Sequence, residues 1–372
     1  MMTVQKVLIN GSYAASLVNF RGPLIRDIIT KGHEVHVSAP NFEKETRDAL
    51  IEMGANVHQV DLQRTGVGIL GDIRYFMQLR QLMDKINADL VLNYTIKPNI
   101  FGALAARSKS ISSASIVTGL GYAFYETQGF KHRLIQGISR WLYRSATTAN
   151  SYVIFQNPDD RDDFIEAGCL ADTSKVRMIN GSGVDTSYYG VAELPDTPVF
   201  LIISRLLVSK GIREYARAAR IVMSQRPECR FLIAGFLDGG PDSISERELE
   251  EWKGSGIEFL GHLDDVRPAI ESCSVYVLPS YREGTPRTVL EATAMGRASI
   301  VTDAPGCRET VVHGETGFLV PVKNSAALAE AMLAMADNKD LRRQMGVAAR
   351  RFCEEKYEVK KVNRALIDHL HL

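Results

Sequence analysis

Short apolar runs rich in β-branched residues recur along the chain. Each is followed by a loop and then by a stretch of helical periodicity. In the first half the runs fall at Lys6–Asn10, Glu34–Ala39, Asn56–Val60, Leu90–Asn93, Ser115–Thr118, Ser151–Phe155 and Val176–Ile179. Helical stretches fill the intervals near Asn19–Thr30, Lys44–Met53, Leu70–Ile86, Lys97–Arg107 and Lys131–Thr147. Parallel neighbours need a long crossover, usually a helix, so this alternation predicts a parallel sheet covered on both faces. After a proline-bounded segment, Gly190–Pro198, the pattern restarts. Its strands are Val199–Ser204, Arg230–Ala234, Ile257–Leu260, Val275–Leu278, Ala298–Thr302 and Gly317–Val320. The expected architecture is α/β, with two tandem doubly wound domains, 1–190 and 191–357, facing each other across a cleft. A last helix within 358–372 is expected to pack back on the first domain. Ligands of such sheets bind beyond the carboxyl ends of the strands.

A chain of 372 residues has the length for two such domains. Its formal net charge is zero, so bulk electrostatics gives no case for a nucleic-acid partner. The five cysteines, 169, 229, 273, 307 and 353, are widely spaced and form no C-x-x-C. They read as reduced thiols of a cytoplasmic protein, with no zinc framework. The N-terminus runs straight into a strand without the apolar core of a signal peptide.

The stretch SYREGTPRTVLEATAMG, 280–296, holds Glu283 and Glu291 with seven residues between them. It follows the strand Val275–Leu278. Thr285 can cap a helix and Pro286 suits the first helical position, so the helix should open at Pro286 and stop at Gly296. Such a helix start offers free N–H groups and a positive dipole end to phosphate. Neither glutamate suits a phosphate, but a carboxylate accepts well from vicinal hydroxyls. A ligand with hydroxyls at both ends and phosphates between them has the layout of a nucleotide-sugar. The plain alternative is one loop glutamate and one helix-surface glutamate, both solvated.

A second strand–loop–helix unit carries Arg205 and Lys210, followed by Gly211. Arginine can fork onto two phosphate oxygens and lysine can add a point charge, neutralising a diphosphate without a metal. The plain alternative is a surface pair at a loop.

Together the motifs SRLLVSKGIREY (204–215), EFLGHLDDV (258–266), the Glu283/Glu291 stretch and HGETGFLV (313–320) resemble the retaining nucleotide-sugar glycosyltransferases of group 1, or family 4. Those enzymes have two Rossmann-like domains, the GT-B fold. The resemblance implies that Arg205 and Lys210 hold the diphosphate, that Glu283 meets the donor sugar, and that Glu291 meets the ribose. It implies that amides around Gly284, Thr285 and Pro286 serve the sugar and phosphates. It places the turn Gly261, His262 and Leu263 beside the base, and Gly11 and Ser12 on the first-domain loop nearest the donor. NYTIKPNIFGALAAR (93–107) and IVTGLGYAFYETQGFKHRL (116–134) look like a bacterial branch acting on undecaprenyl-diphosphate-linked sugars. The best-known members of that branch transfer N-acetylgalactosamine, α-1,3, from the UDP-sugar. Lys97, Thr118, Gly119 and Gly121 fall in the acceptor region by this resemblance. Many relatives carry a histidine where this chain has Thr118-Gly119, so no catalytic histidine is assigned. Catalysis is expected from Glu283, Arg205 and Lys210, with no metal or cofactor. Two rivals stay open: a nucleotide-sugar epimerase, and a non-catalytic nucleotide-sugar-binding subunit.

Two further patterns are weighed. Asp160-x-Asp162 imitates a metal-binding motif, but acids at a helix start complement the dipole, and that is the reading adopted. Between Asp61 and Asn150, eleven basic residues stand against five acidic ones. Phe130, Leu134, Trp141 and Leu142 interleave with basic residues over 130–144, which suits either a peripheral site on the inner membrane or a solvated basic face.

Overall fold

A computed structural model describes residues 4–63, 68–120, 124, 130–240 and 242–372, with side chains of 130–133 excepted. The chain divides into two compact units, 1–182 with 362–372, and 183–361.

The first unit is built on β1 (Lys6–Asn10), β2 (Glu34–Ala39), β3 (Asn56–Gln59), β4 (Leu90–Tyr94), β5 (Ser112–Val117), β6 (Tyr152–Phe155) and β7 (Val176–Met178). They form one parallel sheet in the order β3-β2-β1-β4-β5-β6-β7. Winding reverses between β1 and β4. β4 is buried along its whole length, as helices on both faces require. The helix expected at Lys97 opens with a wide turn, Pro98–Gly102, and continues as Ala103–Arg107. Gly102 is needed there: a Cβ on it would lie 1.9 Å from Asn93 Oδ1.

The helices Ile69–Ile86 and Phe130–Ala149 both pack against that Pro98–Arg107 element. Each also turns apolar side chains outward. Ile69, Leu70, Ile73 and Met77 are exposed on the first, Leu134, Ile138 and Trp141 on the second. Among the described residues no helix is long and apolar enough to cross a membrane.

The second unit holds β8 (Val199–Ile203), β9 (Arg230–Ala234), β10 (Glu258–Gly261), β11 (Val275–Leu278), β12 (Ala298–Thr302) and β13 (Gly317–Val320). Their order is β10-β9-β8-β11-β12-β13, again parallel, with winding reversed between β8 and β11. β8, β11 and β12 are wholly buried and carry the centre of the core.

The break between units falls at Ser182/Gly183, ahead of the proline-bounded segment. Residues 183–190 are stitched into the second unit. Val184 bridges to Glu358, and the Thr186 amide donates to Glu358 Oε2. Arg350 donates to the carbonyls of Thr186 and Tyr189. The segment 190–198 is also fixed, since Arg297 donates to the carbonyls of Ala192 and Glu193. The final helix, Val359–Leu370, buries Leu366, Ile367 and Leu370 in the core of the first unit, and Asn363 donates to Asp27 at 2.7 Å. All five cysteines are free and buried.

Candidate active site

In the second unit the loops after β8 and β11 flank the point where winding reverses, and a crevice opens there in sheets of this order. The first loop turns at Val208–Lys210 and closes on Gly211, at φ +71°. A Cβ on Gly211 would lie 2.1 Å from Pro279 O, so only glycine lets the two loops meet. The Tyr281 amide then donates to Ser209 O at 2.8 Å. This closure joins Lys210 Nζ to the Glu283 carboxylate in an ion pair, with side chains 20% and 14% exposed. A third loop, after β12, supports the pair. The Glu283 amide donates to Pro305 O at 2.9 Å, and Gly306 passes so close that a Cβ would sit 2.1 Å from Glu283 O.

Arg205 lies on the same edge but is held elsewhere, its guanidinium 2.9 Å from Asp238 Oδ2 in the loop after β9. That pair is half exposed and contributes little by itself.

The helix beyond Glu283 runs Arg287–Ala294. It starts one residue later than the sequence implies. Pro286 has extended backbone, ψ 106°, and occupies the cap position rather than the first helical one. The exit is as expected, with Gly296 at φ +75° and its amide on Thr293 O. Glu291, on this helix, is buried. Its Oε1 accepts from Arg287 Nε and from the Tyr189 hydroxyl, each at 2.9 Å. Burial pushes the Glu291 carboxyl above its ordinary range, while Arg287 and Tyr189 oppose that rise.

The turn after β10 sits at the same edge. Gly261 is left-handed at φ +73°, and its carbonyl accepts from the Gly235 amide at 2.8 Å. His262 is exposed, set edge-on to Phe236 at 5.6 Å, while Leu263 packs on the core.

In the first unit the equivalent reversal carries Gly11 and Ser12. The Gly11 amide donates to Ser38 O, and a Cβ there would meet Tyr94 Oη at 2.4 Å. Ser12 Oγ accepts from Thr95 at 2.9 Å. Lys97 is committed to Asp72 at 2.7 Å, both mostly buried. Thr118 is half-buried and Gly119 has φ +134°, while Gly121 lies outside the described residues.

Asp160-x-Asp162 serves a helix start. The Asp160 amide donates to Asn157 Oδ1 at 2.7 Å, and Asp162 pairs with Arg161. Among the described residues no three His, Cys, Asp or Glu side chains are grouped to hold a metal ion.

The site also contains residues that the sequence reading passed over. Gly306 belongs to a Pro-Gly turn straight after a strand, a signal that marks a loop at this edge. Tyr189 sits just before the proline-bounded segment, and its only signal is an adjacent aromatic pair, Tyr188-Tyr189.

Residues 197–338 match the family model described as glycosyl transferases group 1, and residues 12–157 the model described as glycosyl transferase 4-like. Together they mark the chain as a glycosyltransferase with a group 1 domain and a 4-like domain. The glycosyltransferase is 27% identical over 343 residues, 88% of each chain, to the N,N'-diacetylbacillosaminyl-diphospho-undecaprenol alpha-1,3-N-acetylgalactosaminyltransferase of Campylobacter jejuni. It is 25% identical over 289 residues to the UDP-Gal:alpha-D-GlcNAc-diphosphoundecaprenol alpha-1,3-galactosyltransferase of Escherichia coli, covering 74% of this chain and 73% of that one. Among solved structures, Anabaena HepE in complex with UDP-glucose superposes with a TM-score of 0.78 at 19% identity, over 99% of both chains. That likeness shows the fold, GT-B, with its two parallel-sheet α/β domains.

Proposed function

We propose that this glycosyltransferase moves N-acetylgalactosamine from its UDP-sugar, in an α-1,3 linkage, to a saccharide carried on undecaprenyl diphosphate. The reaction retains configuration, needs no metal, and serves assembly of a surface polysaccharide or glycan. The observation that carries this reading is the Lys210–Glu283 pair at the winding reversal of the second sheet. The two lipid-diphosphate transferases it resembles support the acceptor class.

Without ligand the ammonium and carboxylate neutralise each other. An arriving diphosphate draws Lys210 to itself and frees Glu283 to accept from a sugar hydroxyl. Arg205 exchanges Asp238 for phosphate oxygens in the same way. The bond from the anomeric carbon to the diphosphate oxygen then breaks, and its electron pair leaves with UDP. The acceptor hydroxyl attacks from the same face and passes its proton to the departing phosphate. Lys210 and Arg205 stabilise the charge that develops on the leaving group, which is electrostatic catalysis by fixed partners. The positive dipole end of the helix Arg287–Ala294 adds to it.

The acceptor's lipid keeps it in a membrane, so the enzyme works as a peripheral protein on the inner, cytoplasmic face. The exposed apolar stripes of Ile69–Ile86 and Phe130–Ala149, with Arg140 and Arg144 beside the second, suit an anionic surface.

The test is to mix purified enzyme with UDP-N-acetylgalactosamine, with and without undecaprenyl-diphosphate-linked saccharide, in EDTA. Acceptor-dependent UDP release and an α-linked product are expected. Isomerised donor without acceptor would replace this reading with an epimerase, and binding without turnover would replace it with a binding subunit. Trp141→Ala combined with Ile73→Ala should reduce flotation with anionic vesicles. Unchanged flotation would remove the membrane contact from these helices.

A further inference from the structure

The carboxylate of Glu291 is held asymmetrically. Oε1 takes both donors, the Tyr189 hydroxyl and Arg287 Nε. Among the described residues none donates to Oε2. The side chain is only 8% exposed, yet Oε2 is not one of the fully buried atoms left without a partner, so a ligand hydroxyl can reach it.

Tyr189 is placed with care for a residue that begins a connecting segment. It is buried, its amide donates to Asp185 O, and its carbonyl accepts from Arg350 Nη1 at 2.9 Å. Arg350 also donates to the Ala294 carbonyl at the end of the Glu291 helix. One guanidinium thereby ties the tyrosine's backbone to that helix. Tyr188 packs edge-on against the ring at 5.1 Å. Burial and the nearby Glu291 charge push the Tyr189 phenol well up, so it stays a hydroxyl donor across the working range.

We propose that Tyr189 is a positioning residue for the donor: with Arg287 it pins one oxygen of Glu291 and turns the other toward the vicinal hydroxyls of the nucleotide ribose. This rests on the reading of Glu291 as the ribose acceptor. A carboxylate accepts from both hydroxyls only while ionised, and burial works against ionisation. The groups acting on Glu291 are Arg287 and Tyr189, which favour the charge, and Asp265, which disfavours it. Asp265 is itself tied to Arg267.

The test compares UDP with its 2',3'-dideoxy analogue by calorimetry on the full chain. Wild type should prefer UDP by about tenfold or more, the worth of hydrogen bonds to a charged acceptor. Tyr189→Phe should erase most of that preference while binding the dideoxy analogue as wild type does. Its UDP affinity should also fall away at a higher pH than wild type as the solution is acidified. Its kcat at saturating donor should hold, because the reacting atoms are elsewhere. Arg287→Gln, which leaves the 183–190 segment untouched, should show the same selective loss and covers the case of a Tyr189→Phe protein that does not fold.

Equal weakening of both ligands by either variant would mean a merely structural role and overturn the proposal. So would an unchanged preference. If wild type, or Glu291→Gln, shows that the preference never depended on Glu291, the ribose reading itself falls and takes this inference with it.

Discussion

The two parallel sheets reverse their winding in the same way, between the first strand and its neighbour on the far side, yet they load that place with opposite chemistry. Between β1 and β4 the side chains that meet across the reversal are neutral, Asn93 Nδ2 has no partner among the described residues, and the charge of Lys97 is taken up by Asp72 on the helix Ile69–Ile86. Asn10 Oδ1 accepts from Ser38 and Tyr75, and Asn10 Nδ2 donates to Asn93 at 3.1 Å. Between β8 and β11 the groups are charged, and Lys210 and Glu283 are paired across two loops. The winding order makes a crevice in both sheets, but side chains decide what each can hold. A buried neutral network is spent on its own hydrogen bonds and defines the local backbone. A partly buried ion pair carries a desolvation cost that its own attraction offsets only in part, so it is ready to exchange partners with a charged ligand.

That contrast breaks first at Lys210. Lys210→Ala removes the cation proposed to face the leaving group, and with it the ion-pair partner of Glu283. Transfer should fall by about 10²–10³, and UDP should bind more weakly, read by acceptor-dependent UDP release and calorimetry. A rate within a factor of about three of wild type would erase the functional difference between the sheets.

The corresponding change in the first sheet should act on stability instead. Asn93→Ala leaves Asn10 Nδ2 without its acceptor and should cost about 1–3 kcal/mol in denaturant unfolding, with little change in donor KM. A donor KM effect as large as that of Lys210→Ala would mean that the neutral network also handles the donor.

The smallest effect sharpens the comparison through pH. On the edge strand β3, His58 is lowered to about 4, first by burial, then by His36, Lys85 and Arg47. Its ring accepts or donates to His36 at 3.0 Å. A depressed folded value means that the unfolded chain takes up the proton first. Stability is therefore complete above about pH 6.5 and is lost as pH falls toward the folded value. His58→Gln should flatten this acid limb in thermal melts between those limits. An unchanged slope would assign the acid sensitivity to other groups.

Much of this was legible in the sequence, and the part that was not shares one cause. Thirteen strands could be placed because each is a short apolar run followed by a loop and a helical stretch. Glycine marked the helix exit at Gly296. Partners were not legible. Lys210 and Glu283 are 73 residues apart, and Tyr189 and Glu291 are 102 apart. Periodicity gives the face on which a residue stands, never the residue that will meet it. The division between units moved to Ser182/Gly183 for the same reason, since Val184 and Thr186 are held by Glu358, far along the chain. The outward apolar residues of Ile69–Ile86 escaped notice because a helical stripe of Ile, Leu and Met reads as a core face until the other face is seen to be buried.

The account turns on Glu283 acting in chemistry and Lys210 in both binding and chemistry. Glu283→Gln, assayed for acceptor-dependent UDP release alongside UDP affinity, separates these roles most directly. Turnover should drop by about two orders of magnitude or more while UDP affinity stays within about threefold of wild type. A Glu283→Gln enzyme that turns over at the normal rate would contradict the account.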